Sequence, residues 1–355
     1  MKSQIRLLTG IILIGFGFWG CSKNDTSVNN LTLKQSLSQG ATDLNKAVST
    51  IASTKAFSVF TISDGSSKSV AATDSVYKVY IPLNKISGVY EYQPISTYDK
   101  WGISLIRFFT RSADNSQMIV KLPLSKVENP RSLRHYSAAD SSLTNNFSIA
   151  ISDYHNNYNS YWDYDYINSS EITIDNVVAG ELYIKSIISP VTGTHYASQY
   201  TFTGSYTAKY QYESGDTTVS SFEITSSDKV LYEEKLLTIK NDTARFGREH
   251  RYILTIGDVQ IIRKSKNSTP EVYVGGVLQT NAVVTIIDKA SDSEASVCKK
   301  RDIQITFDDG TTTTVSALIG NSVENIKTIF DSLHSVYFAA YIVDWIAYDI
   351  YYERN

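Results

Sequence analysis

SYTAKYQYE, residues 205–213, decides the fold class. Tyr206, Ala208, Tyr210 and Tyr212 alternate with Thr207, Lys209 and Gln211. A repeat of two puts one set on a buried face and the other on a wetter face, as in a β-strand. The same period appears in RDIQITF (301–307), where Ile303, Ile305 and Phe307 alternate with Gln304 and Thr306. It appears again in HRYILTI (250–256), with Tyr252, Leu254 and Ile256 on one face. Turn pairs punctuate these runs: Asp64-Gly65, Gly215-Asp216, Gly257-Asp258, Gly275-Gly276 and Asp309-Gly310. The last, in ITFDDGTTTTV, reads as a hairpin.

The period-two pattern runs from Ala56 to about Ser316. Many short strands with few helical patterns between them predict a mainly β, β-rich α+β protein. Its antiparallel sheets would form a sandwich or a curved half-barrel. Two helices flank this body. In LTLKQSLSQGATDLNKAVSTIAS, Leu37, Ala41, Leu44, Val48 and Ile51 recur at three- and four-residue steps. That spacing predicts an amphipathic helix over about 32–54, which Gly40 weakens. At the other end, Asn321 followed by Glu324 reads as a helix start. Ile326, Ile329, Phe330, Leu333, Tyr337 and Ala340 then make one stripe of a buried C-terminal helix. Beyond Asp344 either a longer helix or a closing strand fits, since Ile346, Tyr348 and Ile350 also alternate.

One short echo occurs inside the body. VYIPLNKI (79–86) and VKLPLSKV (120–127) share a β-branched start, Pro-Leu and a following Lys. Proline cannot donate to a ladder, so each is expected at a strand edge or end.

The hydrolase, phosphate-loop and dinucleotide motifs are missing from the sequence. The five histidines, His135, His155, His195, His250 and His334, are scattered without metal-ligand spacing. The expectation is a non-catalytic chain with no cofactor and no metal, although folding can assemble sites from distant residues. The most unusual composition is DYHNNYNSYWDYDYINSS (153–170), which sets Tyr154, Tyr158, Tyr161, Trp162, Tyr164 and Tyr166 among Asn and Asp. Aromatic faces stack on the C–H face of a sugar, and amide and carboxylate neighbours bond its hydroxyls. Tyr158, Tyr161, Trp162, Tyr164 and Tyr166 are therefore candidate ligand contacts, for a glycan or another small molecule. Tyrosine also favours half-buried sheet, which is the plainer reading. Asp163-x-Asp165 has oxygen ligands for calcium but lacks the loop that would complete a site.

Asp344 stands out differently. A continuous final helix places it five turns from Ile326, on the buried stripe near Tyr337, Tyr341 and Tyr348. A buried acid needs partners or must neutralise. Satisfaction by a tyrosine hydroxyl or an arginine is the expectation.

The first residues set location. MKSQIR carries Lys2 and Arg6, and Leu7–Phe18 is apolar apart from Thr9 and glycines. This run is short of the ~20 residues a membrane span needs, and it fits a secretory leader. GFGFWGCSKND (15–25) resembles the signal of a Bacteroidota-type outer-membrane lipoprotein, with Phe18 and Trp19 where the family usually has Leu and a small residue. The resemblance implies cleavage after Gly20, a lipid on Cys21, and an outer-membrane anchor facing the periplasm or the cell surface. Residues 21–30 would be a polar tether and 31–355 one large domain, with a subdivision near 190 conceivable. Cys298, the second of two cysteines, then has no disulfide partner.

Net charge is −3, and the loss of Lys2 and Arg6 makes the mature chain more acidic. Such a chain has no general attraction for nucleic acid. RFGREHR (245–251) is a local basic cluster, read as a solvated turn. A protein partner is not legible. The expectation is an exported, lipid-anchored binding protein. The alternatives are a structural or assembly lipoprotein of the envelope and a carrier of apolar ligands.

Overall fold

The computed structural model describes residues 32–61, 78–94, 105–129, 132–133, 140, 142–227, 229–244, 247–265, 268–288, 301–334 and 338–354. The leader, Cys21, the tether, Asp64-Gly65 and Cys298 lie outside the described residues. Leu33–Asn355 forms one unit.

Alternating residues pair into one mainly antiparallel sheet of 15 strands. The first four are β1 (Val79–Pro82), β2 (Gly88–Tyr92), β3 (Phe109–Ala113) and β4 (Met118–Leu122). A long meander follows: β5 (Phe147–Ser160), β6 (Asp163–Ile174), β7 (Val177–Ser189), β8 (Gly193–Phe202), β9 (Tyr206–Glu213), β10 (Thr217–Ser226), β11 (Lys229–Lys240), β12 (Arg248–Ile256), β13 (Val259–Arg263), β14 (Glu271–Val274) and β15 (Val277–Leu278). Each strand from β5 to β15 pairs with its chain neighbour. Gly215-Asp216, Gly257-Asp258 and Gly275-Gly276 sit at the turns where the sequence placed them. The predicted hairpin at Asp309-Gly310 joins β17 (Arg301–Thr306) to β18 (Thr312–Thr314), which with β16 (Val283–Asp288) forms a separate three-stranded sheet.

Helices pack against one face of the large sheet. The N-terminal helix α1 (Leu33–Ala52) buries Leu37, Ala41, Leu44, Val48 and Ile51, the five residues of its predicted stripe. Gly40 has a packing reason: a Cβ there would stand 2.8 Å from the Ile256 carbonyl oxygen, at the β12–β13 turn. The period-two reading fails at its first residues. Lys55–Phe60 is a helix, α2, capped by the Thr54 hydroxyl accepting from the Phe57 N–H. The cap and the burial of Ala56, Val59 and Phe60 outweigh the strand preference of Val and Phe. Phe60 packs tilted against Tyr200 at 4.7 Å and edge-on to Phe202 at 5.7 Å, on the sheet's inner face.

The Pro-Leu echo corresponds to two equivalent strand exits. β1 leads through Pro82 into α3 (Leu83–Ile86), and β4 leads through Pro123 into α4 (Leu124–Glu128). Both prolines are extended and occupy the N-cap position. The two strands share one edge of β5. β4 pairs with Phe147–Ile151, and β1 pairs with His155–Tyr158 beyond a register shift.

The C-terminal stripe is divided between two helices, α6 (Ser322–His334) and α7 (Phe338–Arg354), preceded by α5 (Val315–Ile319). α6 packs on β8 and β9, while α7 packs on β1, α3 and a 3-10 turn, Leu105–Phe108. After Asp344 the chain is helical, so the closing strand is ruled out. Ile346 and Ile350 are buried four residues apart, as a helix requires. Among the described residues, no helix is long and apolar enough to cross a membrane.

Candidate functional site

The longest hairpin of the meander, β5–β6, carries every candidate aromatic. Register fixes which residues share its inner face. Tyr154 lies opposite Asn168, Asn156 opposite Tyr166, and Tyr158 opposite Tyr164. Tyr164, Tyr166, Asn168 and Ser170 follow at steps of two on that same face.

The aromatic rings form a ladder along the hairpin. Tyr161 meets Tyr158 edge-on at 6.0 Å, Tyr158 meets Tyr164 at 6.2 Å, and Tyr164 stacks parallel to Tyr166 at 6.1 Å. Tyr166 then meets Tyr154 edge-on at 5.9 Å. The ladder passes from solvent to core. Trp162 and Tyr161, in the turn, are 77% and 55% exposed; Tyr158 and Tyr164 are half-buried; Tyr166 and Tyr154 are buried. The candidates thus fall into two groups: an exposed aromatic tip and a buried tyrosine pair.

Asp344, on α7, sits at the buried end. The Tyr154 hydroxyl donates to its Oδ1 at 3.1 Å. The Tyr166 hydroxyl donates to Oδ1 and Oδ2 at 3.0 and 3.2 Å. Burial pushes the carboxyl up to about 7, and the two tyrosine bonds only partly offset that. Burial, with the nearby carboxylate added, holds the hydroxyls of Tyr154, Tyr164 and Tyr166 well above the ordinary range. Tyr348, one turn along from Asp344, is raised to about 12 for the same two reasons and hydrogen bonds with Asn156. Asp349 caps a different element, accepting from the Ile106 N–H at 3.0 Å.

Sequence reasoning found Asp344 and anticipated a tyrosine or arginine partner, with Tyr337, Tyr341 and Tyr348 as its neighbours; Tyr337 lies outside the described residues. The donors to Asp344 come from strands 178 and 190 residues earlier. It missed Asn156, Asn168 and Ser170, which are 4%, 0% and 4% exposed. The available signal was the run of polar residues at steps of two, Tyr166, Asn168, Ser170, continuing into Ile172. Asp163 and Asp165 stand two residues apart on β6, on the face opposite Tyr164 and Tyr166. Asp165 lies 3.1 Å from His155 Nε2, and its neighbours in register, Asn157 and Ile187, are on the outer face. Of the basic cluster, Arg248–Arg251 opens β12, where His250 Nδ1 contacts the Thr238 hydroxyl at 3.0 Å.

The far end of the sheet holds the helices' polar contacts. Lys55 pairs with Asp175 in the β6–β7 turn at 2.5 Å, and Asp43 pairs with Lys229 at the start of β11 at 3.3 Å. Lys34 pairs with Asp309 of the β17–β18 hairpin at 2.8 Å. Because the strands alternate in direction, α1 lies along the turns opposite the Tyr161-Trp162 tip. No family model, curated protein or solved structure matches this chain.

Proposed function

We propose that this is an exported, lipid-anchored, non-catalytic binding protein whose ligand surface is the tip of the β5–β6 hairpin, and that its ligand is a glycan. The observation that carries the reading is the exposure of Trp162 and Tyr161 together, backed by the half-buried rings of Tyr158 and Tyr164. Large aromatics left in water on a rigid, paired framework supply stacking faces at little conformational cost. Asp163 beside them and Ser160, whose hydroxyl accepts from the Trp162 N–H at 3.2 Å, provide polar edges. The described body begins at Leu33, at the end of the sheet away from this tip.

The test is a glycan array probed with the chain from residue 26 onward, which keeps every described core residue. Binding that disappears in Trp162→Ala and Tyr161→Ala, with unfolding unchanged, supports the proposal. An array without binders, together with co-purification of a fixed membrane partner, supports the structural alternative instead. For the anchor, Cys21→Ala should release the protein from membrane fractions; retention there defeats it.

A further inference from the structure

We infer that the glycan surface runs beyond the Tyr161-Trp162 tip along the next two turns at the same end of the sheet, and that it takes an extended, non-anionic oligosaccharide. The inference rests on the glycan reading of the tip and adds the shape and charge class of the ligand.

Strand pairing lines up three turns. The β5–β6 turn carries Tyr161 and Trp162, the β7–β8 turn Pro190, Val191 and Thr192, and the β9–β10 turn Ser214, Gly215 and Asp216. Tyr164 pairs with Ile188, and His195 with Glu213, so the ends of these hairpins stand side by side. Neighbouring turns are two strand spacings apart, about 10 Å. Three turns make an edge about 20 Å long, the reach of several sugar rings in an extended chain rather than of one.

The turns are held in shape. Ser160 Oγ accepts from the Trp162 N–H at 3.2 Å, and Ser189 Oγ accepts from the N–H groups of Val191 and Thr192, each at 3.2 Å. The second and third turns are tied together. The Ser214 N–H donates to the Thr194 carbonyl at 2.8 Å, and the Thr194 N–H donates to Ser214 Oγ at 2.8 Å. Gly193, at φ +81°, approaches so closely that a Cβ there would collide with the Ser214 carbonyl oxygen. An edge fixed in advance loses little freedom when it binds.

Apolar side chains stand on this frame. Val191 is 89% exposed, the most exposed large apolar side chain among the described residues, one turn over from Trp162. It extends the strip against which the C–H faces of sugar rings pack. Charge narrows the class. The stretches 159–163, 189–193 and 213–217 contain Asp163, Glu213 and Asp216, all exposed, and no Lys or Arg. Such an edge repels carboxylated and sulfated chains and leaves uncharged or amino-bearing ones unopposed.

The experiment probes the full chain in detergent with linear oligosaccharides, from disaccharide to octasaccharide, derived from cellulose, chitin, mannan, chitosan, pectin and chondroitin sulfate. Array binders are then measured by titration calorimetry. Affinity is expected to rise from the disaccharide to about the tetrasaccharide and then level off. The pectin and chondroitin series should not bind. Val191→Ala should weaken the tetrasaccharide about fivefold and leave the disaccharide unchanged, while Trp162→Ala abolishes both. Unfolding midpoints of the two variants should match the wild type. Binding that is lost in Trp162→Ala but does not grow beyond the disaccharide overturns the extension and leaves the tip reading standing. So does an equal effect of Val191→Ala on both lengths. Anionic chains bound as tightly as neutral ones overturn the charge class. An array without binders at any length removes the tip reading and this inference with it.

Discussion

The Tyr166 hydroxyl on β6 reaches both carboxylate oxygens of Asp344 on α7, at 3.0 and 3.2 Å. This contact fastens the last helix to the central hairpin, and its strength depends on the proton that Asp344 carries. The unfolded carboxyl ionises near pH 4, the folded one near pH 7. Between those values the native chain holds a proton that the unfolded chain has lost. Stability from this group is therefore complete below about pH 4 and falls as pH rises through about 7, by up to about 4 kcal/mol. Urea midpoints from about pH 4.5 to 8.5 should show that decline in the wild type and a flatter profile in Asp344→Asn. Equal slopes would remove Asp344 as the source.

Truncation should act differently from neutralisation. Asp344→Ala leaves the Tyr154 and Tyr166 hydroxyls without their acceptor, at about 1–3 kcal/mol for each buried group. Asp344→Asn keeps a carbonyl for one of them. At about pH 5 the alanine variant should be clearly the less stable of the two; comparable unfolding midpoints would contradict the bonding described.

The two ends of the aromatic ladder should separate in stability. Trp162→Ala, at an exposed turn, is expected to change stability by less than about 0.5 kcal/mol. Tyr166→Phe removes a buried donor to Asp344 and should cost about 1–3 kcal/mol near neutral pH. Calorimetry on both variants decides it.

A second buried charge should prove more costly still. Lys126 on α4 contacts Asp140 at 2.9 Å and donates to the Ser132 carbonyl at 2.9 Å, with side chains 5% and 9% exposed for the ion pair. Asp140→Ala leaves a buried ammonium without its counter-charge, a loss of about 3–5 kcal/mol. Lys126→Met combined with Asp140→Leu should recover much of that. A double mutant as unstable as the single one would show that the charge is not what matters.

Gly40→Ala tests close packing against helix propensity. Alanine favours the helix by about 1 kcal/mol. Its Cβ would press on the backbone of Ile256 at 2.8 Å, and overpacking costs about 1–3 kcal/mol. A lower melting temperature is expected, and a higher one would show that the β12–β13 turn yields.

The sequence carries local periods well and distant meetings poorly. α1 is legible because five apolar residues mark its face within 15 positions. The strands β9, β12 and β17 are legible because each alternates over several residues. KAFSVF misleads because a one-and-a-half-turn helix is too short to display its period, and its cap, Thr54, is one common residue. The aromatic stretch is visible as composition, yet composition does not separate Trp162 at the tip from Tyr166 in the core. That division follows from hairpin length and register. Asp344 is visible as an acid on an apolar stripe. Its partners are not, since no local pattern states which strand a helix 178 residues later will cover.

The path of α1 along the sheet has a consequence for the order in which the molecule is built. Strands β5 to β15 each need only the strand just before them, so the meander can grow one hairpin at a time. The helix α1 touches α2 next to it in the chain, but most of its partners, α5, α6 and β11 to β13, come much later. Its glycine waits for Ile256, and Lys34 waits for Asp309, 275 residues downstream. That helix must therefore be among the last elements to find its place, and its apolar stripe travels uncovered until then.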